Sequence, residues 1–565
     1  MPASSARCPT PTWPRSAYLV PPPRRPSTSS RWNRRRWTRW PIPWRRSHWP
    51  ACGQHVVADR RNANPSVAII GGGFAGIAAA VYLAKAGLQD FTIFEKSDGL
   101  GGTWRDNTYP GAEVDVHSQL YSYSFRPHDW TRTHARQAEL QQYLEDVVAE
   151  HGLASHFRFG TAVEEIAWDD TVSSYRLRTK DGAVQIFRAV ISAVGMLNIP
   201  NYPTWPGLNQ FVGPKLHTAR WEPIEIAGKK VAVVGTGSSA VQVVPTIAGV
   251  AEKVTLFQRE PGWIVPKPDR DLSDGERARL RRPWARRRER IRQFWLIEIG
   301  QMFGALHRPG TKINTIAESR CRSYIAEVFA DRPDLAEAVT PTYPFPGKRP
   351  VLTKAFYPAL LRDDVELVPH AVQSVTATGV VDARGVEHRA DVLVMATGFQ
   401  PANYLASYRV VGRTGRTLHE FWDGEPQAFA GITVPEFPNF YILYGPNTNG
   451  GEIVSALQRQ AEFAVRSIKR LQDDSVARIE VRPWFYRRYN QWIQSSMAKT
   501  AWVRSNNYYK SPSGRVVTQW PYGAVIYRAV TKLLGRPSER VIRRAAAPRG
   551  REQAIEVREV GQTHA

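Results

Sequence analysis

The sequence predicts an α/β fold with two doubly wound, Rossmann-like parallel sheets, because a pattern of strand, glycine loop, helix and strand occurs twice. The first copy begins at the apolar run 66–70 and the second at 229–234. Short runs that are apolar throughout are typical of buried parallel strands. The chain has 565 residues, 42% of them hydrophobic, which is ordinary for a globular protein of several domains.

The two copies share one order of segments. In each, a glycine loop follows the first strand, a segment of helical composition follows the loop, and a second strand closes the unit. The segments are 66–70, 71–76, 77–87 and 91–95 in the first copy, and 229–234, 235–240, 240 to about 250 and 253–259 in the second. Two such units predict two nucleotide sites.

The first glycine loop, GGGFAG, has the spacing of a dinucleotide-binding turn. Gly71 allows the tight turn, Gly73 lets the backbone approach a pyrophosphate at the helix N-terminus, and Gly76 lets helix and strand pack closely. Glu95 ends the next strand, where a carboxylate accepts hydrogen bonds from ribose hydroxyls. A simple tight turn between strand and helix is the alternative interpretation.

The second loop carries the related pattern GxGxxA, which begins at Gly235 and Gly237. Its closing strand ends in Arg259 where an acid would otherwise stand, and a guanidinium can form a forked pair with a 2′-phosphate. The sequence therefore favours NADPH over NADH, with assistance from Lys348; a surface role for Arg259 is the alternative. The other predicted contacts of this site are Thr236, Ser238 and Ser239.

A basic helical segment interrupts the second unit. Residues 270–330 are helical in pattern and include RRPWARRRERIR over 281–292. We interpret this stretch as the solvent-exposed face of an inserted helix rather than as a binding patch. Strands resume over 364–395.

The formal charge of +25 is unevenly distributed. Residues 1–64 carry +12 of it, with 13 arginines, 11 prolines and 6 tryptophans, and such proline density blocks both helix and strand. We expect this leader to be unstructured and interpret it as sequence translated upstream of the true start. A dispensable tail, or a basic arm that contacts nucleic acid or anionic lipid, is the alternative.

The three cysteines, Cys8, Cys52 and Cys321, include no CxxC pair. This excludes a disulfide framework, a cysteine-rich metal site and the dithiol of a pyridine-nucleotide disulfide reductase, so we predict no metal. No apolar run approaches 18 residues and no secretory signal is evident, so we predict no membrane span and a cytoplasmic location.

Two segments resemble fingerprints of Baeyer–Villiger-type flavoprotein monooxygenases. They are GGTWRDNTYPGAEVD (101–115) and FVGPKLHTARW (211–221). The related N- and S-oxidising flavin monooxygenases carry Tyr or Phe where this chain has Trp221, whereas Glu222 departs from the usual Pro or Asp of the family. The matching residues are Gly102, Trp104, Tyr109, Pro110, Gly111, Asp115, Phe211, Gly213, His217 and Trp221.

The resemblance continues toward the C-terminus. YPFPGKRPVL (343–352) is similar to the segment that supplies the family's active-site arginine, which maps onto Arg349. DVLVMATGF (391–399) and FPNFYILYGPNT (437–448) resemble strands of the flavin domain, and Trp502 is expected near the nicotinamide ribose.

This resemblance implies a ketone monooxygenase that uses FAD, NADPH and dioxygen and forms an ester or lactone through a flavin peroxide. Arg349 would stabilise the anion because a guanidinium stays charged at all working pH values. Asp115 would position that arginine, and His217 would serve as a hinge or relay. Gly102 and Trp104 would contact the flavin, as would Asp115. Oligomeric state and substrate are not readable from the sequence.

Two further classes stay open as alternatives. An N- or S-oxygenating monooxygenase shares both nucleotide sites, but Trp221 and Arg349 argue against it. A nucleic-acid binder that uses the basic leader leaves both glycine loops unexplained, so we predict no nucleic-acid partner.

The expected domains place the substrate at the junction of the two nucleotide-binding regions. They are a leader (1–64), a first FAD-binding part (65–222), an NADPH-binding domain (223–389) with a helical insert over about 270–330, a second FAD-binding part (390–540) and a flexible tail (541–565).

Overall fold

The computed structural model describes residues 65–544. The predicted leader and most of the predicted tail therefore lie outside the described residues. The first residues of that tail are ordered, because Glu539–Arg543 form a strand that pairs antiparallel with Val476–Val481. The prediction of a flexible tail is wrong for 541–543, because Val541 and Ile542 pair with a strand that is distant in sequence, and such a pairing leaves no local pattern.

The strands of residues 65–544 are, in chain order, β1 (Val67–Ile70), β2 (Phe91–Phe94), β3 (Phe157–Arg158), β4 (Val163–Asp169), β5 (Ser174–Thr179), β6 (Val184–Phe187), β7 (Ala189–Ser192), β8 (Lys215–His217), β9 (Lys230–Val234), β10 (Lys253–Phe257), β11 (Ile264–Val265), β12 (Val351–Leu352), β13 (Val365–Val368), β14 (Val372–Val375), β15 (Gly379–Asp382), β16 (Glu387–Arg389), β17 (Val392–Met395), β18 (Arg409–Val411), β19 (Phe440–Ile442), β20 (Val476–Val481) and β21 (Glu539–Arg543).

The α-helices of the same residues are α1 (Phe74–Lys85), α2 (Thr103–Asp106), α3 (Gln137–Glu150), α4 (Ala240–Ile247), α5 (Asp274–Arg281), α6 (Pro283–Gln301), α7 (Lys312–Val328), α8 (Pro333–Val339), α9 (Phe356–Leu360), α10 (Leu418–Trp422), α11 (Ile453–Ile468), α12 (Pro483–Met497), α13 (Ala524–Ala529) and α14 (Gly535–Ser538).

The first glycine loop belongs to a parallel sheet with the strand order β19-β7-β1-β2-β3. Val67 of the central strand β1 lies opposite Phe91 on one side and Ala189 on the other. Helix α1 packs against α11, and its small alanine side chains allow the close approach. The predicted order of strand, loop, helix and strand is confirmed here, and the segment 437–448 supplies β19 of this sheet.

The second glycine loop belongs to a parallel sheet with the order β13-β10-β9-β17-β8. Strand β17, from the segment 391–399, pairs with β9, and Met395 lies opposite His217 of β8. The prediction that β8 and β17 belong to the FAD-binding domain is therefore wrong. A short buried run such as VLVM indicates a central parallel strand but carries no signal for which sheet it joins.

Helices α5 to α8 lie between β11 and β12, in the region for which the sequence predicts a helical insert. Smaller sheets accompany the two parallel ones, with the orders β18-β4-β5-β6 and β14-β15-β16. Within residues 65–544, no helix combines the length and apolar character that a bilayer crossing requires.

Candidate active site

The first glycine loop forms a cradle at the beginning of α1. Gly71 has a φ of +108°, which favours glycine, and a side chain on Gly76 would lie 1.9 Å from the carbonyl oxygen of Gly71. No side chain caps α1, and its first turn contains no acidic residue. The positive end of the helix is therefore directed at the loop, as pyrophosphate binding requires.

Glu95 follows β2 and is fixed beside this loop. Its Oε2 accepts a hydrogen bond from the backbone N–H of Gly72 at 2.8 Å, and its Oε1 accepts one from Ser97 at 2.9 Å. The carboxylate is buried but keeps free lone pairs, since each oxygen can accept more than one bond. It can therefore also accept from ribose hydroxyls.

A second glycine turn adjoins the first. A side chain on Gly102 would lie 3.2 Å from the Cα of Gly73, so the two backbones are in close contact. Trp104 is buried in the short helix α2, and its Nε1 donates to the hydroxyl of Tyr121 at 3.1 Å. The two turns together leave no room for side chains and fit a dinucleotide that lies against the backbone.

The loop before α4 is the corresponding feature of the second sheet. Gly235 has a φ of +115°, and a side chain on Gly237 would meet nothing within 4 Å, so the loop is open on that side. The Thr236 hydroxyl donates to the backbone carbonyl of Glu260 at 3.2 Å. Ser238 and Ser239 precede α4 without capping it through their side chains. This helix end is likewise available to an anion.

Two cations stand near this loop. Arg259 follows β10 and is exposed, with no side-chain partner among residues 65–544. Lys348 forms an ion pair with Glu260, and its Nζ lies 5.1 Å from the ring centroid of Tyr343. Arg259 therefore remains available for a phosphate, whereas the charge of Lys348 is already partly neutralised.

Arg349 and Asp115 are 234 residues apart in sequence and form an ion pair. Nη2 of the guanidinium donates to Oδ2 of the carboxylate at 2.8 Å. Partial burial alone would lower the pKa of Arg349, but the negative charge of Asp115 raises it more, so the pKa lies above its ordinary value. Arg349 is therefore a permanent cation.

This pair borders a cavity of about 640 Å³. The Arg349 side chain is 45% exposed and lines the cavity together with Asp115. Trp502 lines the same space and packs on His307, with 4.4 Å between ring centroids. The structure thus brings Arg349, Asp115 and Trp502 to one cavity, and their roles stay predictions.

His217 lies elsewhere. It is buried at the end of β8, and its Nδ1 accepts a hydrogen bond from the backbone N–H of Ala219 at 3.1 Å. Burial lowers the pKa of His217, and its Nε2 has no partner among the described residues. It does not line the cavity, so the structure does not bring it together with Arg349.

Three histidines of the cavity wall were not predicted. Burial lowers the pKa of His117 to about 4 and that of His134 to about 3, so both are neutral at neutral pH. His307 is buried, and neither ring nitrogen has a partner within residues 65–544. Such nitrogens are groups that a bound ligand satisfies. No spacing in the sequence signals these residues.

Helix α6 also contributes to the wall, through Gln293, Ile297 and Gln301 on one face. The sequence interpretation of this insert as a solvent-exposed helix is therefore incomplete, since one face lines the cavity. The helical period of 281–301 could have revealed two different faces but not their surroundings. Within residues 65–544, no cluster of potential metal ligands occurs.

Comparison with known proteins places these features in a family. A family model described as pyridine nucleotide-disulphide oxidoreductase matches residues 68–293. A Baeyer-Villiger monooxygenase of Streptomyces coelicolor is 36% identical over 497 residues, which cover 86% of this chain and 95% of that protein. An FAD-binding monooxygenase of Aspergillus niger is 34% identical over 498 residues, which cover 84% of this chain and 81% of that one.

A solved structure shows that the similarity includes the three-dimensional fold. The crystal structure of cyclohexanone monooxygenase from Rhodococcus sp. Phi1 bound to NADP+ superposes with a TM-score of 0.77 at 30% identity. The match covers 85% of this chain and 99% of that one. Because the chain is 36% identical to the Streptomyces coelicolor enzyme over 95% of that protein, it belongs to the Baeyer–Villiger monooxygenase family.

Proposed function

We propose that Arg349, held by Asp115, stabilises negative charge while this chain inserts one oxygen atom next to a ketone carbonyl. The chain is an FAD-dependent NADPH monooxygenase that forms an ester or lactone. The observation that carries the proposal is the 2.8 Å ion pair at the wall of the cavity. A preorganised donor directed at developing negative charge is worth about 3–4 kcal/mol.

FAD and NADPH are the cofactors, as the sequence predicted and as membership of this family confirms. The two cofactors would supply the hydride and the activation of dioxygen that the reaction needs. In our proposal the loop that contains Gly71, Gly73 and Gly76 holds the FAD pyrophosphate, and Glu95 holds a ribose. Gly102 and Trp104 complete that site.

The second loop holds NADPH in the same scheme. Gly235 and Gly237 keep the backbone open toward the pyrophosphate, and the positive end of α4 adds attraction. Arg259 pairs with the 2′-phosphate. The other residues proposed for this cofactor are Thr236, Ser238, Ser239, Lys348 and Trp502.

Asp115 acts through Arg349. Its carboxylate fixes the guanidinium by a charge-assisted hydrogen bond, which limits the directions in which the cation can point. In this proposal the cavity holds the substrate carbonyl near that cation. The backbone of His217 in β8 lies opposite Met395 of β17 in the second sheet. We propose that His217 serves as a hinge between the two nucleotide-binding regions.

Replacement of Arg259 by alanine tests the 2′-phosphate contact. We expect the KM for NADPH to rise about tenfold to a hundredfold, because a hydrogen-bonded charge pair is lost. The KM for NADH should stay the same, since NADH lacks that phosphate. Arg384→Ala, on the exposed turn between β15 and β16, is the matched control. Equal changes for both coenzymes would remove Arg259 from this role.

The reaction class is tested by offering purified protein ketones, thioethers and tertiary amines with NADPH and dioxygen. We expect ketones to accelerate NADPH consumption and to yield esters or lactones in step with it. An N- or S-oxygenating enzyme, which the family does not favour, would instead convert the amine or thioether and leave ketones unchanged. A cytoplasmic location and the lack of a nucleic-acid partner stay predictions.

A further inference from the structure

Helix α6 has a second face, turned to solvent, that adjoins its cavity-lining face. Five large apolar side chains there are between 42% and 64% exposed. We call this surface the α6 outer face; its apolar members are Trp284, Ile291, Trp295, Leu296 and Ile299. Phe303 and, on α7, Ile313 and Ile316 extend the exposed apolar area. Single exposed apolar residues are ordinary, but a contiguous group marks an interaction site.

Two polar side chains attach helix α6 to the rest of the chain. Arg290 donates to the backbone carbonyl of Ser122 at 3.2 Å. Glu298 is buried, and its carboxylate accepts from the backbone N–H groups of Ala524 at 2.8 Å and Val525 at 3.0 Å. These bonds attach the helix to two separate parts of the chain, so it cannot turn to bury its outer face.

The same helix carries a strong positive charge. Four arginines at its beginning, Arg282, Arg286, Arg287 and Arg288, have no acidic partner among residues 65–544. Arg292 pairs with Glu289 at 2.7 Å. Exposed tryptophans and aliphatic side chains can contact the acyl chains of a bilayer, and unpaired arginines on the same helix can contact anionic headgroups.

Other occupants fit less well. Through α6, a second copy would offer these arginines no free acid, since Glu289 already pairs with Arg292 and Glu298 is buried. Nucleic acid would satisfy the arginines and the two tryptophans, but it would leave the exposed isoleucine and leucine side chains in water. We infer that the α6 outer face binds an anionic lipid surface, with its apolar side chains at the boundary between headgroups and acyl chains.

The position of the cavity agrees with this orientation. Leu296 and Arg292 belong to the exposed side of α6 and also line the cavity. A membrane-bound chain would therefore hold the cavity next to the lipid surface. Apolar ketones concentrate in lipid, which gives such an arrangement a use. The binding itself does not depend on the proposed reaction.

Flotation of the full chain with lipid vesicles tests the inference. Vesicles of equal parts phosphatidylglycerol and phosphatidylcholine should bind the protein, and pure phosphatidylcholine should bind it weakly. The triple substitution Trp284→Gln, Trp295→Gln and Ile299→Gln should weaken binding to the anionic vesicles about tenfold or more, since three inserted side chains are lost. High salt should weaken it further.

Trp484→Gln is the matched control, because Trp484 is similarly exposed at the beginning of α12. This variant should bind vesicles as the unchanged chain does. The triple variant should retain the melting temperature and its activity on a water-soluble ketone, because none of its three positions lines the cavity.

Three results would overturn the inference. The first is that the unchanged chain fails to float with anionic vesicles. The second is that the triple variant floats equally well, which would assign binding to another part of the chain such as residues 1–64. A solution mass that halves in the triple variant would assign the face to a second copy of the chain instead.

Discussion

Replacing Arg349 by alanine is expected to lower ester formation about 10²–10³-fold, because one preorganised charge at the reacting oxygen is removed. NADPH should still be consumed, since the residues proposed to hold the two cofactors are unchanged. The electrons should then appear as hydrogen peroxide. The measurement is the ratio of ester to NADPH consumed, followed in parallel for the variant and the unchanged chain.

Two further variants separate a role in charge stabilisation from structural damage. Arg349→Lys should lose less than the alanine variant, because an ammonium keeps the charge but not the forked geometry. Asp115→Asn should leave the cation in place but less well oriented, with an intermediate loss. An alanine variant that forms ester at a near-normal rate would contradict the role assigned to Arg349.

The second large effect is expected at Gly76. A single methyl group there would meet the carbonyl oxygen of Gly71 at 1.9 Å, and this backbone atom cannot move without opening the turn. We expect Gly76→Ala to destabilise the fold by about 1–3 kcal/mol, as other overpacked sites do, and to lower the bound flavin sharply. Flavin absorbance per protein and the melting temperature are the measurements.

Gly300→Ala is the matched control. This glycine also lies in a helix, α6, and an added methyl group would come no closer than 3.7 Å to a neighbouring atom. Because alanine favours helix over glycine by about 1 kcal/mol, the control should be neutral or slightly stabilising. Full flavin content and unchanged melting in Gly76→Ala would show that the cradle is not the FAD site.

The sequence predicted those parts of the site that have a local signature. Both glycine loops, their helices and Glu95 stand within short segments whose spacing follows from backbone contact with a dinucleotide. The pairing of Asp115 with Arg349 was also predicted, although the two are far apart, because the resemblance located each within its own motif. In the structure, Nη2 of Arg349 lies 2.8 Å from Oδ2 of Asp115.

Other parts have no local signature. Strand β17 was assigned to the wrong sheet, because a buried apolar strand looks the same in either one. The cavity wall gathers His117, His134 and His307 from separate segments, and only the tertiary fold brings them together. Likewise, the basic sequence of α6 indicated an exposed helix. It did not indicate that one face would line the cavity, because this depends on the tertiary hydrogen bonds of Arg290 and Glu298.

The most direct test of the account measures the source of the inserted oxygen. The purified chain is incubated with FAD, NADPH and a ketone under ¹⁸O-labelled dioxygen. The mass of the ester is measured by mass spectrometry, and the Arg349→Ala variant is treated in the same way. We predict one labelled atom in each ester molecule from the unchanged chain and almost no ester from the variant. Unlabelled ester, or equal amounts of labelled ester from both proteins, would contradict the account.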